Sequence, residues 1–503
     1  MNRNHSPVAL IGLDSADPAL ILEWEEQGLL PSLRSLRLRS LRGETILPSG
    51  LGSGAMWASL YSGVSPAKHG RYFGRQIDDD AYRVVRFRPN AVKQDPVWVV
   101  ASRANKRVLV IDIPVAPLAE SLTGIQIKDW GAHDPVFSSV RTCPPSLSTE
   151  VTARFGADPV GSCDRPRKGG AAYKDFRDRL IERIDKKAQL MCYYLQAGEW
   201  DLFMGAFCDA HCVSHQAWHL HDAGHPLHDP EFAKANGDPV KDVYIALDRA
   251  VGRILRCLSP ATTIILFFGS GMGPNYSGNH LLDEALRRIE GIPATHEHRA
   301  VQTIKRIYRK VLPDNVRSWL GPFGDLVDEF SLAGDRVRRK FYSIPHNDLS
   351  GAIRFNVVGR EPNGRVKRGD EYDALCVALR RDLMELRDPD TGKSVVTDVL
   401  KTSNLYSGEY LDELPDLLVV WNREQAITAI ASEKAGEIRG IRMSKRTGDH
   451  TNAGAFFACG PGIEEVGKLA KPVPVESFAP TIAALLGVAL PDVDGTTIPG
   501  FRG

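Results

Sequence analysis

His211 and His215 stand four residues apart, so on a helix they share one face and can chelate a single ion. Asp14 ends the apolar run Val8-Ala-Leu-Ile-Gly-Leu13, and Gly448-Asp449-His450 carries another imidazole far along the chain. These three stretches look like pieces of one metal site. Ser53 opens the helical-looking segment Ser53-Gly-Ala-Met-Trp-Ala-Ser-Leu-Tyr-Ser62. A serine hydroxyl is a poor nucleophile unless a metal, a base or a positive field stabilises its alkoxide. A helix N-terminus adds free N–H groups and the positive dipole end, which suit a phosphoryl or sulfuryl oxygen. Plainer alternatives stand beside each reading: Ser53 as a helix cap, and the histidine pair as a polar helix face. Cys208 and Cys212 flank His211 at the same spacing, so they are either ligands or buried free thiols.

The elements that must position these residues follow from hydrophobic pattern. Val8–Leu13 reads as a buried parallel strand with a polar residue at its carboxyl end. Pro18–Gln27 reads as a helix. Further buried strands are expected at 107–114, Trp200–Phe207, Thr262–Phe268, Asp416–Trp421 and Ala455–Ala458. Such alternation implies a largely parallel sheet covered on both faces, with ligands at the carboxyl ends of its strands. The polar residues above follow those ends. Residues 281–345 are rich in Arg and Lys with helical periodicity (Ile304, Ile307, Val311; Leu326, Phe330, Leu332) and read as a helical insertion or cap. A solvated helical pair with no role at the site is the alternative. Core segments are therefore expected at 1–280 and 346–503, with an irregular excursion near 135–175.

The 503 residues carry 63 basic and 62 acidic side chains. Balanced charge excludes the basic face that a nucleic-acid polymer or an anionic membrane needs. No apolar stretch is long enough for a signal peptide or a spanning helix. None of the eight cysteines forms a CxxC pair, so neither a zinc ribbon nor a disulfide framework is indicated. A cytoplasmic protein acting on a small molecule is expected.

The spacing Ser53, Ser62-Gly63, Pro66, His69-Gly70 resembles the nucleophile region of the alkaline phosphatase superfamily, in particular its type I phosphodiesterase/nucleotide pyrophosphatase branch. The resemblance continues through Gly12-Leu-Asp14, Pro31-Ser-Leu33, Leu414-Pro-Asp-Leu-Leu-Val-Val420, Gly448-Asp-His450, Gly460-Pro-Gly462, Ala479–Gly487 and Asp494-Gly495. It implies an alkaline phosphatase-like three-layer α/β sandwich. It also implies a metal-dependent hydrolase of a phosphodiester, or of a related phosphate or sulfate ester, with Ser53 as nucleophile. Zn2+ would be held by His211, His215 and His450, three histidines with a fourth position open. A formylglycine sulfatase is the less expected reading, because Ser53-Gly-Ala-Met-Trp57 lacks the Cys/Ser-x-Pro-x-Arg context.

The sequence departs from the family pattern in two places. His211 stands where the family has Asp, which makes that pocket about one unit more positive. After the Thr262–Phe268 strand the family reads Ser-Asp-His-Gly-Met, whereas this chain reads Phe268-Gly269-Ser270-Gly271-Met272. A second ion would keep only Asp14 and Ser53, so a second divalent ion is expected to be weak or missing. Ser53 would then need another activator, with Asp14 as base, or else water activated at the three-histidine ion would attack. Lys128, His133, His280, His346 and Arg446 are candidates to replace the missing charge, and Lys128, His133, His346 and Ser270 are the candidate substrate contacts. Two other functions remain open on this pattern. One is a transferase or phosphomutase using a covalent Ser53 intermediate, and the other is a non-catalytic binding protein.

Overall fold

The computed structural model describes residues 5–78, 82–87, 89–133, 139–165, 167–293, 334–347, 349–440 and 446–502. The chain divides into two compact units: Met1–Arg71, Arg88–Asn275 and Ser444–Gly503 form the first, and Tyr72–Phe87 with Tyr276–Met443 the second.

One sheet organises the first unit. Its strands run in the order Gly467–Lys468, Leu41–Ile46, Gly454–Cys459, Thr263–Phe267, Val8–Leu13, Leu202–Phe207, Val108–Ile111, Gly124–Lys128 and Arg141–Cys143, with Val473–Pro474 also paired to Leu41–Ile46. The strands from Thr263–Phe267 to Gly124–Lys128 are parallel. Gly454–Cys459 and Arg141–Cys143 run against their neighbours.

Val8–Leu13 is central and buried throughout. Its side chains alternate between faces, as a pleat requires. Ala9, Ile11 and Leu13 pack with Ile21, Leu33, Ile184, Val213 and Leu247 from helices on one side. Val8 and Leu10 pack with Met56, Trp98 and Ile482 from helices on the other. This is the three-layer arrangement expected from the alternation, and burial on both faces is why the strands read as unbroken apolar runs.

Register sets Leu13 beside Phe207 and Gly12 beside Phe267. Asp14, the helix Asp209–His221 and Gly269-Ser270 therefore leave the sheet next to one another at its carboxyl edge. Gly12 is required here, since a Cβ would stand 2.5 Å from Cη2 of Trp57.

The second unit has its own antiparallel sheet, in the order Phe341–Ile344, Ser350–Phe355, Leu417–Trp421 and Val396–Lys401. The helices Asn279–Glu290 and Asp370–Met384 cover it with Leu282, Leu286, Leu379 and Leu383. This corrects the expectation that Leu417–Trp421 extends the parallel sheet. A short apolar run reports burial and leaves the choice of partner strand open. Within 281–345, Asn279–Glu290 is helical but Phe341–Ile344 is a strand. Residues 294–333, with the periodic positions Ile304 to Leu332, lie outside the described residues. The region near 135–175 is more regular than expected, because it contains the strand Arg141–Cys143 and the helix Leu147–Phe155.

Candidate metal centre

His211 and His215 come from the first two turns of Asp209–His221, a helix that starts directly after its strand and buries both rings. His450 comes from the short strand Gly448–Thr451, antiparallel to Gly271–Pro274 with Met272 opposite His450. This ribbon lies on the histidine helix. A Cβ on Gly448 would meet the Ser214 carbonyl oxygen at 2.3 Å, so only glycine allows the approach. Thr447 N–H donates to the His215 carbonyl at 2.8 Å and fixes the same contact.

Nε2 of His211 lies 3.2 Å from Nε2 of His450 and 3.2 Å from Nε2 of His215. Nδ1 of His215 faces the Gly448 carbonyl oxygen at 2.8 Å. Nδ1 of His450 faces the hydroxyls of Ser270 at 2.9 Å and Ser15 at 3.3 Å. A ring that donates Nδ1–H to oxygen presents its Nε2 lone pair to the centre. The Gly448 carbonyl, which only accepts, gives His215 that tautomer, and the Ser270 and Ser15 hydroxyls can accept the same proton from His450. Burial, aided by neighbouring positive groups, holds the His211 and His215 pKa values well below the ordinary range. These two rings are therefore neutral, the form that ligates. Two nitrogens on a tetrahedral zinc are about 3.3 Å apart for bonds of about 2.05 Å. The three buried imidazoles fit that ion.

Ser53 is the first residue of Ser53–Ser62; the N-cap is Gly52, with φ 49 and no side-chain cap bond. The capping alternative is thus excluded. Trp57, one turn on and on the same face, donates its indole N–H to Oδ1 of Asp14 at 2.8 Å. Burial raises the Asp14 pKa, opposed by Trp57 and by the fields of His133 and Lys187. At Gly269 a Cβ would point to within 3.6 Å of Asp14 Oδ1. A carboxylate at that position would share a pocket with Asp14, and here the pocket has none. Ser270 is engaged with His450. Asp14 and Ser53 alone are a short donor set for another ion.

The chain matches the family model of type I phosphodiesterases and nucleotide pyrophosphatases over residues 8–451. It belongs to that family. Solved structures of two proteins share the fold of this phosphodiesterase-family chain. Murine ectonucleotide pyrophosphatase/phosphodiesterase 5 is 11% identical, covers 97% of each chain and gives a TM-score of 0.50. Phosphonoacetate hydrolase from Sinorhizobium meliloti 1021, solved with phosphonoformate, is 12% identical, covers 96% of each chain and gives 0.51. An inactive form of the murine protein in complex with AMP matches at 11% identity and 0.50, covering 98% of this chain and 97% of that one. No curated protein sequence matches. The chain is a phosphoester hydrolase of the alkaline phosphatase superfamily, in a family whose members depend on metal ions. Among the described residues, no helix is long and apolar enough to cross a membrane.

The other expected residues of this phosphodiesterase-family site separate. His133 joins it, its ring 4.0 Å from that of His211 and edge-on. Arg446 also joins, with Nη1 3.5 Å from Nε2 of His215 while it pairs with Asp164 at 3.0 Å and 2.5 Å. Lys128 pairs with Asp129 at 3.1 Å. His346 belongs to the second unit, stacked on Tyr72 and Phe73 at centroid distances of 6.2 and 6.1 Å. His280 lies in that unit's helix Asn279–Glu290. Sequence reasoning missed Ser15, whose position after Gly-Leu-Asp was the available clue. It also missed Lys187, which is buried and paired with Asp112 at 2.9 Å, and nothing local marks that lysine.

Proposed function

We propose that this chain hydrolyses a phosphodiester, or a related phosphate or sulfate ester of a small molecule, at a centre with one zinc ion. His211, His215 and His450 would hold it. The observation that carries this reading is the convergence of three buried imidazole Nε2 atoms, with Ser270 occupied as a hydrogen-bond partner of His450. Zinc, when bound, supplies a Lewis acid at the ester oxygens.

Ser53 is the nucleophile. Its Oγ forms the bond to phosphorus as the bond to the leaving oxygen breaks, and the N-terminus of its helix stabilises the charge. Asp14 takes the hydroxyl proton. Its link through Trp57 to the helix that Ser53 opens and its burial-raised basicity support that role. Water then hydrolyses the seryl ester.

Charge supports a single ion. The family pattern pairs two ions with carboxylates at positions 14, 211 and 269, whereas this chain pairs one ion with Asp14 alone. Both leave one net positive charge. His211 is thus the replacement that goes with losing the second ion. A diester carries less charge than a monoester, so diesters are the expected substrates. The eight cysteines are free thiols, which supports a reducing, cytoplasmic setting.

Ser53→Ala tests the proposal. Hydrolysis of bis(p-nitrophenyl) phosphate is expected to fall by about 10³-fold or more with zinc content unchanged. Full activity in the variant would overturn Ser53 as nucleophile.

A further inference from the structure

Beside the three-histidine centre, and sharing no ligand with it, three other donors converge. His133 follows the strand Gly124–Lys128, Cys163 precedes the helix Gly170–Gln196, and Cys212 lies in the first turn of Asp209–His221. Their ligand atoms all lie within 4.8 Å of one another, and Cys212 Sγ is 3.4 Å from His133 Nδ1. Cys163 is 2% exposed and Cys212 is fully buried.

We propose that His133, Cys163 and Cys212 form a second metal site, one for a thiophilic ion such as Zn2+. Two thiolates with one imidazole are soft donors that select zinc over magnesium or calcium. The surroundings support thiolate ligands. Arg183 is wholly buried and directs Nη2 at Cys212 Sγ, 3.3 Å away, and Nη1 at Cys163 Sγ, 3.7 Å away. Hydrogen bonds of this kind hold ligand sulfurs in place. Arg183 is itself fixed by Asp209 at 2.7 Å, and Asp158 lies 3.6 Å from it. The guanidinium charge is therefore answered without calling on the sulfurs. Binding displaces two thiol protons, leaving two thiolates to balance a divalent ion. The His133 ring against His211 makes the two centres neighbours. An ion here anchors His133 and the first turn of the helix that carries His211.

Cobalt(II) titration of the full-length protein, freed of metal by a chelator, tests this. Wild type and His450→Ala are expected to show a sulfur-to-cobalt charge-transfer band, which in His450→Ala, with the histidine centre removed, saturates at one equivalent. Cys163→Ser and Cys212→Ser are expected to lose it while wild-type binding at the histidines persists. No such band in wild type, or a band that survives both cysteine variants, overturns the site. If a cysteine variant fails to fold, zinc-edge X-ray absorption of wild type decides. A zinc–sulfur shell near ~2.3 Å supports the site, and a purely nitrogen and oxygen shell refutes it. A Cys163–Cys212 disulfide found by mass spectrometry also refutes it.

Discussion

Ser270 does a different job from the histidine that the family pattern puts at its position. Its hydroxyl lies 2.9 Å from Nδ1 of His450 and fixes the ring that turns Nε2 to the centre. Groups behind a metal ligand set its orientation and basicity. Ser270→Ala is expected to weaken zinc binding by about tenfold, the low end of such effects, because Ser15 still reaches the same nitrogen at 3.3 Å. Competition with a fluorescent chelator measures this, and unchanged affinity would remove Ser270 from the centre. Spacing alone exposed His211 and His215, since four residues make one helix face. The Ser270–His450 contact joins residues 180 apart and has no counterpart in a single sequence. The same holds for Arg183 and the two thiols it reaches.

The proposed metal centre depends on how closely a ribbon can approach a helix. Gly448 is the point of contact, with the Ser214 carbonyl 2.3 Å and the Trp218 Cβ 2.8 Å from where a Cβ would be. Both are held in place by the helix, so Gly448→Ala must push the ribbon away and carry His450 with it. A loss of about 1–3 kcal/mol of stability and a lowered zinc content are expected. Denaturant unfolding and metal analysis check this, and a wild-type zinc content would show that the ribbon adapts. On the other face, the turn Val475–Ser477 packs against the helix that Ser53 opens. Burial, with the nearby Asp494 carboxylate, pushes Glu476 up to about 7 from 4.5. Between these values the folded state binds more protons than the unfolded one, so stability falls as pH rises from about 4.5 to 7 and stays reduced above. Glu476→Gln is expected to raise stability by about 1–2 kcal/mol at pH ~8 and by little at pH ~5. Equal effects at both pH values would show that Glu476 is ionised without cost.

For the whole molecule, alternation of strands and helices was enough to anticipate the central sheet, and the burial of Val8–Leu13 on both faces explains why. It did not separate the second unit. Leu417–Trp421 is as apolar as a central parallel strand, yet it pairs antiparallel with Ser350–Phe355 and Val396–Lys401. Strand partners are chosen by tertiary packing that an apolar run does not encode. The same separation takes His346 into the second unit. Sequence pattern thus anticipated the convergence of His211, His215 and His450, but gave no sign that His346 belongs to the second unit or that Lys128 pairs with Asp129. Zinc content of the purified wild type and of His450→Ala, by inductively coupled plasma mass spectrometry, tests the three-histidine centre most directly. A drop of one equivalent per chain in the variant is the predicted result. Equal zinc in both proteins would contradict the centre on which the proposed chemistry rests.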